Sequence, residues 1–205
     1  MYPNAFGGIK KVFNAEILSL IATILLGLGS VFAAAGAATS TLGALTFGGV
    51  FIVVGLVAFL VSYIMNLVGL HQAAKDEPKF KTAFILSIVA LILTLAGGAI
   101  SSGAGETAQT IISIISSILK IAITVAIISG IMNLADRLND PKLKEKGKNI
   151  LILWVVIYVI ALILQLVKVP ALTVGLSVVS LVLIVVVYIF YLSYLSKATK
   201  MLENN

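Results

Sequence analysis

Residues 43–70 read GALTFGGVFIVVGLVAFLVSYIMNLVGL, a run without a charged side chain. A helix needs about 20 apolar residues to cross about 30 Å of hydrocarbon. This run is longer than that, so it tilts or projects past the bilayer. Its polar and apolar residues do not alternate, which argues against a barrel strand. A helix satisfies its own backbone hydrogen bonds, which lipid cannot do.

The same pattern recurs along the chain. Apolar spans are predicted at about 14–38, 43–70, 82–101, 107–134, 149–168 and 171–195. The expected fold is all-α, an integral membrane six-helix bundle forming one transmembrane domain over residues 1–205. Composition agrees, with 60% hydrophobic residues, 11% charged residues and a mean hydropathy of +1.18. A soluble domain carries about a quarter charged residues. Lys10 and Lys11, the run Ile17 to Leu28, and Ala33-Ala34-Ala35 mimic a secretory signal. Because that segment recurs later in the chain, it is read as a retained first span.

The 14 basic residues set the topology. Lys10 and Lys11 precede span one. Lys75, Lys79 and Lys81 follow span two. Arg137, Lys142, Lys144, Lys146 and Lys148 follow span four, and Lys197 and Lys200 follow span six. Only Lys120 and Lys168 fall elsewhere. If every span crosses, that side is the cytoplasm and both termini lie there. The net charge of +6 is therefore a topology signal, and no nucleic-acid partner is expected. The opposite connections, 36–41, 101–106 and Lys168-Val169-Pro170, are short and tight. Trp154, Tyr158, Tyr63, Tyr191 and Tyr194 lie towards the cytoplasmic ends, where an aromatic belt is expected.

The chain also repeats. Residues 14–22, NAEILSLIA, and 82–90, TAFILSIVA, share Ala, Ile, Leu, Ser and Ala at matching positions. Ile64-Met65-Asn66-Leu67 returns as Ile131-Met132-Asn133-Leu134. Tyr188-Ile189-Phe190-Tyr191-Leu192 is a looser third copy. The spacing from Asn66 to Thr82 equals that from Asn133 to Asn149. Three like-oriented helical hairpins follow, at about 10–75, 79–138 and 146–200, related by an axis along the membrane normal. The pattern fits a ring or a compact bundle.

In this hairpin pattern, and in the loop Leu70-His71-Gln72-Ala73-Ala74-Lys75-Asp76-Glu77 followed by Phe80-Lys81-Thr82-Ala83-Phe84, the chain resembles small six-span prokaryotic membrane proteins of unknown function. The resemblance implies a prokaryotic inner membrane and transfers no active site.

Span four carries the polar candidates. Gln109, Ser113, Ser116, Ser117, Lys120 and Thr124 share one helical face. Such a stripe faces a bundle interior or a water-filled cavity. Lys120 lies about 20 Å along the helix from Asn133, and a charge at mid-membrane costs about 3 kcal/mol. It either contacts an anion or repels cations in a pore, or its stem snorkels to the outer interface. The hydroxyls line a pathway, or they bond the carbonyl four residues back. Thr173, Ser177 and Ser180 form a shorter stripe in span six. Asn66 and Asn133 are repeat-equivalent polar positions, with helix-to-helix bonding as the alternative. Gln165 and Lys168 are read as interface anchors. Glu16 is read as a dipole-favoured residue near a helix start. Gly29, Ala33 and Ala37 form a small-residue packing face.

The chain has no cysteine and one histidine, His71. No disulfide, metal site or cofactor is expected, nor an enzyme. Two functions remain. One is a small-solute or ion transporter or channel, which calls for a polar cavity at mid-depth opening outward. The other is a structural or accessory subunit acting through a membrane partner or self-association.

Overall fold

The computed structural model describes residues 2–39, 41–100, 106–166 and 170–204, with side chains at 98–100, 106–109, 158, 161–166, 170–182 and 184 outside the description. Among the described residues there are six helices: α1 (Pro3–Thr39), α2 (Leu42–Ala73), α3 (Pro78–Ile100), α4 (Glu106–Arg137), α5 (Pro141–Leu166) and α6 (Pro170–Glu203). Among the described residues there is no strand. Within those residues, α1, α2, residues 78–97 of α3 and residues 110–137 of α4 are long and apolar enough to cross a membrane. Their flanks are unsuited to water. Val31 (65%), Leu60 (61%) and Leu95 (65%) stand exposed on the protein surface. Contiguous apolar surface of this kind needs lipid or a partner.

Each helix packs on its neighbours in the chain, and α1 meets α6, closing a ring. All the basic helix ends gather at one end of that ring. The start of α1 lies against the end of α2 at Gly8 and Gly69. Arg137 ends α4 beside Glu77 at the start of α3. Tyr194 of α6 abuts Gly147 of α5.

The hydrophobic core sits at this basic end. Ile9, Leu70, Phe80, Ile131, Leu134 and Leu195 are fully buried there. Water is the alternative environment for helix ends that project from a bilayer, so apolar burial drives their packing. Trp154, Tyr191 and Tyr194 belong to this core rather than to a lipid-facing belt. That corrects the expectation for these three. Trp154 packs edge-on against Tyr191, with ring centroids 6.0 Å apart. Large rings fill the space between tapering helix ends better than they would serve as anchors.

Further into the helices, α1 and α2 use a different device. Buried small residues at heptad spacing in α1 are Gly8, Ala15, Ala22, Gly29 and Gly36. Those of α2 are Gly48, Gly55, Ser62 and Gly69. Both series repeat every seventh residue, the period of a left-handed antiparallel coil. The series interlock at backbone contact. A Cβ on Gly48 would lie 2.6 Å from the Ala33 nitrogen, and one on Gly8 would lie 2.5 Å from the Gly69 carbonyl oxygen. The face expected from Gly29, Ala33 and Ala37 is therefore rotated. Ala37 is exposed, and Gly36 takes the buried place. In lipid, close backbone approach replaces the hydrophobic effect as the source of packing.

Carboxylates fix the helix starts. Asp76, from the α2–α3 loop, accepts from the Ala5 N–H at 2.7 Å and from the Asn4 side chain at 3.1 Å. It thus caps a helix far away in sequence, satisfying N–H groups that have no intrahelical partner. Glu77 and Asp140 precede Pro78 and Pro141, the first residues of α3 and α5. Asp140 accepts from the Leu143 N–H at 3.0 Å, and Glu77 from the Lys79 N–H at 3.3 Å. Proline is well placed at a first helical position, where its missing N–H costs nothing. The segments Glu77-Pro78-Lys79-Phe80-Lys81 and Asp140-Pro141-Lys142-Leu143-Lys144 therefore share one capping scheme, and each buries its apolar residue. This recurrence is one turn out of step with the Asn66 and Asn133 match. Helix α2 runs about two turns beyond Asn66, whereas α4 runs about one turn beyond Asn133.

Candidate functional site

Inside the ring lies a cavity of about 170 Å³, room for several waters. Its walls come from α1, α2, α3, α4 and α6. Glu16 and Ser19 reach it from α1, Ser62, Tyr63 and Asn66 from α2, Ser87 from α3, Thr124 from α4 and Tyr191 from α6.

Glu16 is the charged group of this lining. Helix α1 begins at Pro3, so Glu16 lies in its interior, about 20 Å from the start. The dipole at a helix start does not explain it, contrary to the reading from sequence. Its partners come from two other helices. The Tyr188 hydroxyl donates to Oε2 at 2.8 Å and lies 2.9 Å from the Glu16 carbonyl oxygen. Asn66 Nδ2 donates to Oε1 at 3.3 Å. One carboxylate thereby joins α1, α2 and α6.

Four of the cavity hydroxyls donate to backbone carbonyls. Ser62 donates to the Ala15 carbonyl at 2.9 Å, Ser87 to the Ala83 carbonyl at 2.8 Å, and Thr124 to the Lys120 carbonyl at 3.0 Å. The Tyr63 hydroxyl donates to the Ser87 carbonyl. A hydroxyl has one proton and two lone pairs. What these groups have left is acceptor capacity. Together with the Glu16 carboxylate, they make a lining suited to a cation.

The α4 stripe is divided by the structure. Thr124 lines the cavity. Lys120 lies one turn outward on the same face and is exposed. Ser117 donates to the Ser113 carbonyl at 2.9 Å, the local bond that serines favour inside helices. Ser116 is half-buried. The Gln109 side chain and those of Thr173, Ser177 and Ser180 lie outside the described residues, as do the Gln165 side chain, the Tyr158 side chain, Lys168 and the 101–105 turn.

The two asparagines serve different carboxylates. Asn66 meets Glu16, whereas Asn133 donates to Glu77 Oε1 at 3.1 Å, at the basic end. Glu77 is 2% exposed and paired with Arg137 at 2.9 Å. This second cluster ties α3 to α4 and lies apart from the cavity. A sequence signal for this cavity did exist. Glu16 is an acidic residue standing alone in an apolar helix, and such residues are rare and functional.

The fold and cavity define a helical protein with several membrane-length apolar helices and an acidic internal site. The chain has no significant match among protein-family models, curated proteins or solved structures.

Proposed function

We propose that the chain is a six-span integral membrane protein that moves a small cation or cationic solute through the Glu16 cavity. The observation that carries this reading is a carboxylate facing an acceptor-lined cavity between apolar helices. An uncompensated charge in such a place is costly, so a cation that neutralises it is favoured. The six helices run alternately up and down as three like-oriented hairpins. The basic ends face the cytoplasm of a prokaryotic inner membrane, following the positive-inside rule. Lys120, one turn outward of Thr124, places a positive charge on the outer approach. It hinders entry of cations and so sets the rate rather than the site.

Reconstitution in liposomes tests this. With inward gradients of Na⁺, K⁺ or methylammonium, the wild type passes at least one of them. Glu16→Gln abolishes the flux, and Lys120→Ala raises it. Absence of flux for all three ions in the wild type, or equal flux in Glu16→Gln, overturns the proposal.

A second reading, an accessory subunit, is favoured by one observation. Phe32, Phe47 and Phe51 cluster on the outward side of α1 and α2, with Phe32 and Phe51 stacked 6.1 Å apart. Phe32 and Phe47 are exposed, which suits a partner helix. Co-purification of a membrane partner, or self-association lost in Phe47→Ala, distinguishes it.

A further inference from the structure

A groove of about 330 Å³ runs between α5 and α6 at the basic end. Its floor is apolar, made by Ile150, Leu153 and Phe190. Its rim holds Lys146 and Lys197, one from each helix. Both lysines reach into the same groove from facing helices. Like charges repel, and no carboxylate lines the groove to hold them together. Elsewhere at this end, three lysines have partners. Lys144 pairs with Asp136 at 2.7 Å, Lys11 donates to Gln72 at 2.7 Å, and Lys10 stands over the Phe6 ring. At the floor, the Tyr194 hydroxyl is buried and has no hydrogen-bond partner among the described residues.

We infer that this groove binds one anionic phospholipid, with the phosphate between Lys146 and Lys197 and an acyl chain along Leu153 and Phe190. The phosphate supplies the negative charge that two adjoining ammonium groups lack. The apolar floor continues into the exposed faces of the helices, where Leu153 is 42% and Phe190 50% exposed. A free phosphate would satisfy the rim but leave that floor uncovered. The inference rests on the membrane reading, not on transport, so a failed flux assay leaves it standing.

Trp154 is the only tryptophan and adjoins Leu153, which makes it a local reporter. Full-length protein is placed in phosphatidylcholine bilayers containing brominated phosphatidylglycerol at a fixed fraction. Quenching of Trp154 exceeds that by equally brominated phosphatidylcholine. In Lys146→Gln/Lys197→Gln the preference falls by about tenfold, since each lysine near a membrane surface contributes to anionic-lipid affinity. The control Lys75→Gln/Lys81→Gln removes the same charge from exposed positions and keeps the preference. Equal loss in both double variants means diffuse attraction and overturns the site. Absence of any preference in the wild type overturns it as well. Displacement of the lipid by millimolar inorganic phosphate assigns the groove to a free anion instead. If the glutamine variant fails to fold, Phe190→Ala, which keeps both charges, is expected to halve the quenching.

Discussion

The Tyr188 hydroxyl and the Glu16 carboxylate meet at 2.8 Å although the two residues lie 172 positions apart. This bond closes the ring, because it joins the last helix to the first. Hydrogen bonds to charged groups contribute about 1.5–3 kcal/mol. Tyr188→Phe should therefore lower stability by about 2 kcal/mol, and Glu16→Gln should cost less, because its amide still accepts from Tyr188. A double-mutant cycle of Tyr188→Phe with Glu16→Ala, which removes the acceptor, read by thermal unfolding in detergent, measures the coupling. Additive effects would show that the two side chains do not interact.

Gly48 and Gly49 are neighbours with opposite surroundings. A Cβ on Gly48 would collide with the α1 backbone, whereas one on Gly49 meets nothing within 4 Å. Gly48→Ala should destabilise by about 1–3 kcal/mol through overpacking. Gly49→Ala should be neutral or stabilise by up to about 1 kcal/mol, because alanine is the better helix former. Unfolding of both variants in the same micelle checks the sign of each.

Glu77 is buried, while Arg137 is 46% exposed. Removing one partner of a buried ion pair costs about 3–5 kcal/mol. Solvent at the arginine reduces this, so Arg137→Ala is expected to cost about 2 kcal/mol. Adding Glu77→Gln to Arg137→Ala should recover a large part of the loss, since no buried charge is then left unpaired. A double variant less stable than Arg137→Ala alone would show that the carboxylate matters chiefly as the α3 cap.

The Lys146 ammonium beside Lys197 holds the Lys197 pKa below the usual lysine value. A lowered pKa means a larger fraction of neutral amine at a given pH. Between neutral pH and the ordinary lysine pKa, Lys197 should be acylated faster than Lys75 or Lys200. Lys146→Gln should remove that advantage. Peptide mapping after brief labelling at several pH values reads both rates. Because the folded state binds its proton less tightly, this pair opposes folding fully below the lowered value, and the opposition fades as pH rises from there to the ordinary lysine pKa.

Some of this was legible before any coordinates. The long apolar runs, the clustering of basic residues between them and the tight connections require only composition and order. Lys120 also drew notice, as a charge in an apolar context. Glu16 was read as belonging to a helix start, because its distance from that start depends on where the helix begins. Helix α1 starts at Pro3, ahead of the apolar run, and its start is capped by Asp76 from another loop. The small-residue heptads of α1 and α2 were present in the letters too. Their significance appears only when Gly8 faces Gly69 and Gly29 faces Gly48.

The sequence by itself determined that the chain is helical and that its helices suit a membrane. These follow from hydropathy, run length and the need of each backbone to bond internally, all properties of neighbouring residues. Tertiary structure alone decided which polar residues meet. Glu16 and Asn66 line one cavity and Tyr188 bonds Glu16 beside it, while Asn133 turns to Glu77 and Lys120 stands exposed one turn from Thr124. Side-chain chemistry fixes what each group can accept or donate. Helix rotation and pairing, set by contacts between residues remote in the chain, fix whether a partner is within reach.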